Sequence, residues 1–287
     1  SHALLRVGNF VHQFGLQSST SSSMKVTMEE PASNEAFFNS RLMGAMFVYD
    51  KNDFFGTASV HVESEALKKK SNELGKMGYG AMSRLVYRPL HDTGRLFQLG
   101  ISGAYETPRY NSEPTLNHTS FDLGANFPTR IAKVRAVNAL IPDAKNLIKF
   151  TPEMIAGYGP VALEAQYYYL QVNRKKDFKN YKASGMYGIL RGLLIGGNYR
   201  YSHTDCGIAT PDSGSLECVF GYNYTDMSDT RSHIYGGRLN DVSFTVNYYI
   251  NKYMIWRFRY SYTKITDRVG FENQSLSAFQ TRFQVIF

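Results

Sequence analysis

Met254 to Thr263 reads MIWRFRYSYT. Met254, Trp256, Phe258, Tyr260 and Tyr262 fall on one side of an extended chain, with Ile255, Arg257, Arg259, Ser261 and Thr263 on the other. Period two with one oily face is the signature of a strand, because successive side chains point to opposite sides of a sheet. Here the oily side is aromatic and the other side carries arginines and hydroxyls.

The same alternation spreads outward from this stretch. In DFFGTASVHVE, Phe54, Ala58, Val60 and Val62 oppose Thr57, Ser59, His61 and Glu63. In KMGYGAMSRLVYR, Met77, Tyr79, Ala81, Leu85 and Tyr87 oppose Gly78, Gly80, Arg84 and Arg88. RLFQLGISGAY, PVALEAQYYY, LLIGGNYRYS and DVSFTVNYY repeat it. The composition agrees, with 14% aromatic residues in a chain whose mean hydropathy is −0.33. A chain rich in rings yet polar on average separates its two surfaces finely. No apolar run reaches the roughly 18 residues of a transmembrane helix, and 43% hydrophobic content excludes a disordered chain.

Strands of about ten residues with aromatic apolar faces suit a tilted bilayer crossing. The connections fall into two lengths. Short ones are read at Lys51-Asn52, Pro89 to Gly94, Gly159-Pro160, Arg191-Gly192 and Asn251-Lys252, and long ones at Val11 to Ser40, Ser64 to Gly75, Glu106 to Asn117, Thr204 to Gly236 and Thr266 to Ser275. Outer-membrane barrels alternate in this way, short at the periplasm and long outside. The strong segments are odd in number, which puts short turns on both sides. An added strand at Arg130 to Asn138, with Ala132, Val134 and Ala136 toward lipid, restores order. The expectation is a single all-β domain over residues 1–287, a closed transmembrane antiparallel barrel of about 14 strands. The end, SAFQTRFQVIF, puts Phe283, Val285 and Phe287 on one face, like the terminal strand by which such barrels are recognised for assembly. No signal peptide is present, and SHALLRVGNF opens as if inside a strand, as expected of a processed or truncated start.

Net charge is +8, which fits nucleic acid, an anionic membrane surface or an anion-conducting lumen. Within the barrel reading the partners are outer-membrane lipid, lipopolysaccharide and small anions, with no nucleic acid and no cofactor. Cys206 and Cys218 lie in one polar stretch, which allows a loop disulfide in an oxidising compartment, beside the alternative of two unrelated thiols.

Several blocks resemble one family, the phosphate-selective porins O and P. LLRVGNFVHQFGLQSSTSSSMKVTMEEP, Leu4 to Pro31, is similar to the family's strand and following inward loop. Phe127 to Arg174, with VRAVNALIPDA and YGPVALEAQYYYLQVNR, is similar to its middle. GGRLNDVSFTVNYYINKYMIWRFRYSYTKI, Gly236 to Ile265, and the final FQTRFQVIF resemble its last hairpin and strand. The resemblance implies a porin of the Gram-negative outer membrane, commonly a homotrimer of about 16-stranded barrels, with strands ahead of the VGNF block that are expected to be missing from this sequence. It also implies that residues 11–40 fold inward and constrict the channel, the alternative being a flexible surface loop of low complexity; Lys25 is the basic residue expected to face the narrowing.

With the apolar face outward, the other face lines water. Its expected pore-lining, anion-binding residues are Arg84, Arg88, Lys133, Arg135, Arg200, Arg257, Arg259 and Arg282, joined by Lys25. Arg6, Lys149 and Lys182 add to them, against Glu63, Asp122, Glu153, Glu164 and Asp241. Rings of Arg and Lys favour anions, and the planar arginine fork suits phosphate-like groups. The alternative for any one arginine is a structural pair with an inward carboxylate. Ser18 to Ser23, a run of small hydroxyl residues, offers donors to a dehydrating anion. Lys68-Lys69-Lys70 reads as a solvated loop rather than a contact to lipopolysaccharide phosphates.

The leading function is a passive, anion-preferring porin for small solutes such as phosphate. A second reading is an accessory barrel in an outer-membrane secretion or assembly complex, docking other proteins through the long extracellular loop 204–236. A third is a barrel hydrolase built on His203 and Asp205. No metal-ligand spacing, phosphate-cradling glycine loop or nucleophile elbow is present.

Overall fold

The computed structural model describes residues 2–20, 24–38, 41–63, 77–129 and 133–285. Among them lie sixteen strands. The first five are β1 (Ala3–Phe10), β2 (Leu42–Lys51), β3 (Phe54–Glu63), β4 (Tyr79–Asp92) and β5 (Arg95–Glu106). A short pair follows, β6 (Phe121–Asn126) and β7 (Arg135–Ile141), and then β8 (Ala144–Tyr158), β9 (Val161–Arg174) and β10 (Tyr181–Ile195). Beyond a second short pair, β11 (Tyr201–Ser202) and β12 (Gly207–Ile208), come β13 (Leu216–Asp229), β14 (Ile234–Asn251), β15 (Met254–Arg268) and β16 (Gln274–Val285). One helix, α1, spans Ala32–Phe37.

Twelve strands form one antiparallel sheet, in the order β1-β2-β3-β4-β5-β8-β9-β10-β13-β14-β15-β16. Burial along it is inside out relative to a soluble sheet. Val60, Leu85, Ile101 and Trp256 are exposed, whereas Arg84, Arg257 and Thr245 are buried. The alternation read in β3, β4, β5 and β15 holds residue for residue. An apolar face of this extent is stable toward acyl chains and costly toward water.

The sheet corrects the sequence reading in four places. The strands number sixteen rather than 14, twelve of them in the wall, and β1 and β16 are its margins, so the expected closure is not among the pairings of the described residues. Residues 133–138, the described part of Arg130 to Asn138, add no strand to the wall, although Val134 is exposed. Ala132 lies outside the described residues, and β6 and β7 pair with each other as a separate sheet. Ala136 and Val137 are fully buried, with Val137 and Ala139 against Gly237 and Gly236 of β14. Small apolar residues at period two suit close packing on a wall as well as they suit lipid. Arg191-Gly192 is not a turn: β10 runs through it, pairing Arg191 with Ala162 on one side and Val219 on the other. Residues 204–236 are not one loop, because they contain all of β13 and the start of β14.

Four turns lie at one end of the sheet, at 52–53, 93–94, 159–160 and 252–253. Asn52, Gly94 and Gly159 take the positive φ that tight hairpins demand. The longer connections 11–41, 64–78 and 107–143 lie at the other end, most of 64–78 outside the described residues along with Lys68-Lys69-Lys70. One long connection, 196–215, leaves from the short-turn end.

Candidate functional site

Two segments cover the polar face of the sheet. The first, 11–38, leaves β1 at the long-connection end and crosses from β5 to β16. Its apolar residues Phe14, Leu16, Met28 and Phe37 are buried, and its backbone finds partners on the wall because it has little regular structure of its own. Gly15 N donates to Ser102 Oγ on β5 (3.0 Å), and Leu16 N to Gln166 Oε1 on β9 (3.2 Å). Gly15 has φ +78°, and a Cβ there would overlap the Gln166 amide, so only glycine makes this entry turn. Further along, wall side chains donate to segment carbonyls. Asn247 Nδ2 reaches Val26 O (2.9 Å), Arg257 Nη1 reaches Lys25 O (2.5 Å), Arg282 Nη1 reaches Met28 O (3.1 Å) and Lys149 Nζ reaches Phe37 O (2.8 Å). On α1, Asn34 accepts from Tyr168 OH (2.7 Å) and Ser33 from Asn223 Nδ2 (2.6 Å). Glu35 caps Asn126 of the β6–β7 hairpin, and burial pushes its carboxyl above the usual range.

The expected anion-binding residues divide into three groups. Arg84, Arg88 and Arg259 face inward but are committed to protein partners. Arg84 grips Glu153 with both sides of its fork (Nη2–Oε1 2.6 Å, Nε–Oε2 3.1 Å), and its Nη1 donates to Gln13 and Ser19 of the first segment. Arg88 pairs with Asp50 and lies over the Tyr201 ring at 5.5 Å. Arg259 contacts Asp241 (3.3 Å), Pro128 O and Gln280. Lys133, Arg135 and Arg200 are not on the wall. Arg135 pairs with Asp122 within the β6–β7 hairpin (2.6 Å), Arg200 pairs with Asp212 (2.5 Å), and Lys133 precedes β7. Arg257, Arg282 and Lys25 remain around the first segment. Arg282 also holds Glu29 (2.8 Å), and Lys25 Nζ donates to Gln17 O. Arg6 lies on marginal strand β1, and Lys182 lies on the outer face of β10, opposite the placement inferred for it.

Arg257 is 1% exposed, and its Nε has no hydrogen-bond partner. Arg191, expected in a turn, is an inward cation that the sequence reading missed, as is Arg174 at the inward phase of β9, and Arg191 is the one at the cavity between the two segments. It pairs with Glu217 (2.7 Å), which also accepts from Tyr199, Tyr249 and Asn247. The alternating run GMYGILRGLLI was the signal that β10 continues through it.

The second segment, 196–215, folds back under the short-turn end. Its backbone bridges the turns there, with Gly94 N donating to Tyr199 O (2.8 Å) and Tyr199 N to Gly159 O (3.0 Å). Tyr201 OH donates to Gln98 Oε1 (2.5 Å), and Cys206 O accepts from Gln98 Nε2 (3.3 Å). Cys206 is buried inside while Cys218 occupies the outward phase of β13. Both thiols are free, so the loop disulfide is not formed. Burial pushes the Cys206 thiol up, which keeps it protonated. His203 and Asp205 do not form a dyad, because Asp205 binds Ser202 (2.8 Å) while His203 packs edge-on against His91 and Tyr201.

Between the two segments lies a cavity of about 220 Å³, lined by Gln17, Thr20, Lys25, Glu164, Arg191, Arg257 and Asp205 among others. A wider space of about 1020 Å³ lies on the far side of the first segment, lined by Arg6, Arg41, Lys133, Glu29, Glu30 and Glu35 among others. Gln17, Thr20 and Lys25 border both. Ser21, Ser22 and Ser23, the centre of the hydroxyl run, lie outside the described residues.

Comparison with known proteins agrees with this architecture. No curated protein matches the chain. Among solved structures it is similar to outer-membrane expressed OmpT of Vibrio cholerae, with a TM-score of 0.57 and 10% identity over 98% of this chain and 75% of that one. A second structure, in-vitro folded OmpT, an outer membrane protein of Vibrio cholerae, gives a TM-score of 0.54 and 10% identity over 97% and 73%. At that identity the likeness concerns the fold. The model of the family described as phosphate-selective porin O and P matches residues 1–287, the whole chain. An inside-out sheet with a polar, loop-filled interior is what that match requires, and the chain belongs to the phosphate-selective porin O and P family of Gram-negative outer-membrane porins.

Proposed function

We propose that the protein is a passive channel for small anions, phosphate among them, and not a catalyst. In this reading segment 11–38 is the constriction and segment 196–215 is a floor beneath it. The observation that carries the anion preference is local. Most inward arginines are neutralised by carboxylates, so the wall as a whole contributes little field. Arg257 has no carboxylate partner among the described residues, and it borders the 220 Å³ cavity together with Lys25 and Arg191. A guanidinium without a carboxylate partner at a narrowing favours anions in the potential that a permeant ion meets, against the Glu164 and Asp205 carboxylates that border the same cavity.

The test is the reversal potential of the reconstituted protein in a KCl gradient. The native channel is expected to prefer chloride, and Arg257→Gln to move the reversal potential toward zero. A cation-preferring native channel, or an Arg257→Gln variant with unchanged selectivity, contradicts the reading. Phosphate is expected to lower chloride conductance in the native channel and to do so less in the variant.

A further inference from the structure

The outer face of β8, β9 and β10 changes chemistry in a set order toward the long-connection end. Leu163, Ala165 and Tyr167 of β9 occupy its outward phase, followed by Tyr169, whose ring meets Phe150 of β8 at 5.1 Å. Next comes a ladder of amides. Gln171 Oε1 accepts from Tyr169 OH, Gln171 Nε2 donates to Asn173 Oδ1 (2.7 Å), and Asn173 Nδ2 donates to Asn146 Oδ1 (2.7 Å). Lysines close the series. Lys182 stands opposite Gln171 in register, Lys145 adjoins Asn146, and Lys175, Lys176 and Lys179 lie in the exposed 175–180 connection.

Lys175 is paired with Asp143 (3.5 Å), but Lys145, Lys176, Lys179 and Lys182 carry no ion pair among the described residues. Another cation of this rim is neutralised within the protein. Arg238 sits between Asp226 (3.0 Å) and Asp267 (2.9 Å). Acyl-chain residues, an aromatic girdle, amides and then unpaired ammonium groups follow the layers of a lipid leaflet from its core to its headgroups. In outer-membrane barrels the long-connection rim is the external one, where the leaflet is built of lipopolysaccharide with phosphorylated amino-sugar headgroups.

We propose that this face is a docking site for the phosphorylated sugar headgroup of lipopolysaccharide. Lys145, Lys176, Lys179 and Lys182 neutralise its phosphates, while Gln171 and Asn173 meet its hydroxyls. The proposal rests on residence in the outer membrane and is independent of the anion-channel reading.

The test is titration of the detergent-purified full chain with lipopolysaccharide, followed by native mass spectrometry. A K145Q/K176Q/K179Q/K182Q variant is expected to bind at least about tenfold more weakly, since each lysine at an anionic surface contributes severalfold. The corresponding four-arginine variant is expected to bind as the native protein does. Phosphatase-treated lipopolysaccharide is expected to bind the native protein no better than the intact molecule binds the glutamine variant. A control, K51Q/R95Q/K252Q, removes charge at the opposite rim and is expected to bind normally. Undiminished binding by the glutamine variant, equal loss in the control, or indifference to dephosphorylation overturns the proposal. Should the glutamine variant fail to fold, the arginine variant and the dephosphorylated ligand still decide. Ion selectivity is expected to stay unchanged in the rim variants, which separates failure here from failure of the channel reading.

Discussion

The two inward segments reach the same interior by different physics. Segment 11–38 is held by directed polar contacts that span the sheet from β5 to β16, many of them wall cations donating to its own carbonyls. Segment 196–215 is held over a few turns by fewer hydrogen bonds, to Gly94, Gly159, Gln98 and Glu217, together with ring packing in which Arg88 lies on Tyr201 and His91 on His203. Hydrogen bonds to charged donors are strong and geometrically strict, whereas ring contacts at a partly wetted end are weaker. The first segment is therefore a built part of the wall, and the second is a cover laid against it.

The largest expected effect comes from removing each segment in turn. Replacing residues 16–36 by a short glycine-serine linker is expected to raise single-channel conductance several-fold and to abolish anion preference. Removing 197–214 is expected to raise conductance less and to leave selectivity in place. A larger change from the second deletion reverses the ranking drawn here.

Next in size is the Arg84–Glu153 pair, which joins β4 to β8 and reaches Gln13 and Ser19 of the first segment. Arg84→Gln leaves a buried carboxylate unpaired and is expected to cost about 3–5 kcal/mol in thermal or urea unfolding from micelles. The double variant Arg84→Gln/Glu153→Gln is expected to recover most of that loss. A single variant within about 1 kcal/mol of the native protein would mean that water replaces the pair freely.

Tyr201→Ala removes the ring under Arg88 and is expected to weaken docking of the second segment by roughly 1–2 kcal/mol. Limited proteolysis within 209–214 reads this directly. Faster cleavage there, with the first segment still protected, is the expected pattern.

The smallest effect is pH dependence. Burial, then the charges of Arg88 and His91, hold the His203 imidazole below its ordinary value of 6.5, against a weaker upward pull from Asp50. The docked segment thus binds fewer protons than the released one. Its contribution to docking is present above about pH 6.5 and is lost as pH falls below that value. Faster cleavage at 209–214 is expected at pH 5.5 than at pH 7.5. In the first segment two groups oppose one another. His12 is lowered, mainly by burial, so acid loosens it. Glu35 is raised, mainly by burial, so acid favours its docked form. A smaller pH response is expected there. Equal responses in the two segments remove this part of the contrast.

Much of the wall was legible because its signal is local. The phases of β3, β4, β5 and β15 follow from side chains two residues apart and needed no partner strand. The inward placement of Arg84, Arg88, Arg257 and Arg259 came with those phases, and that of Arg282 with the phase of β16. Errors arose where a local pattern has two physical uses. The glycine at Arg191-Gly192 resembled a turn but lies mid-strand, and Arg130 to Asn138 resembled a lipid face, but its Ala136 and Val137 are buried, with Val137 against Gly237 of β14. Cys206 and Cys218 are neighbours in sequence, yet opposite sides of a wall separate them.

Alternation along the chain was enough to determine that this protein presents apolar rings to lipid and polar groups inward, since a strand's two faces are set within a few residues. Only the tertiary structure decided which inward charges remain available. Arg84 and Glu153 lie 69 positions apart and meet because β5 brings β4 and β8 to either side of it. Coulomb interactions depend on distance in space, and for charges on different strands that distance is set by the order and register of the sheet.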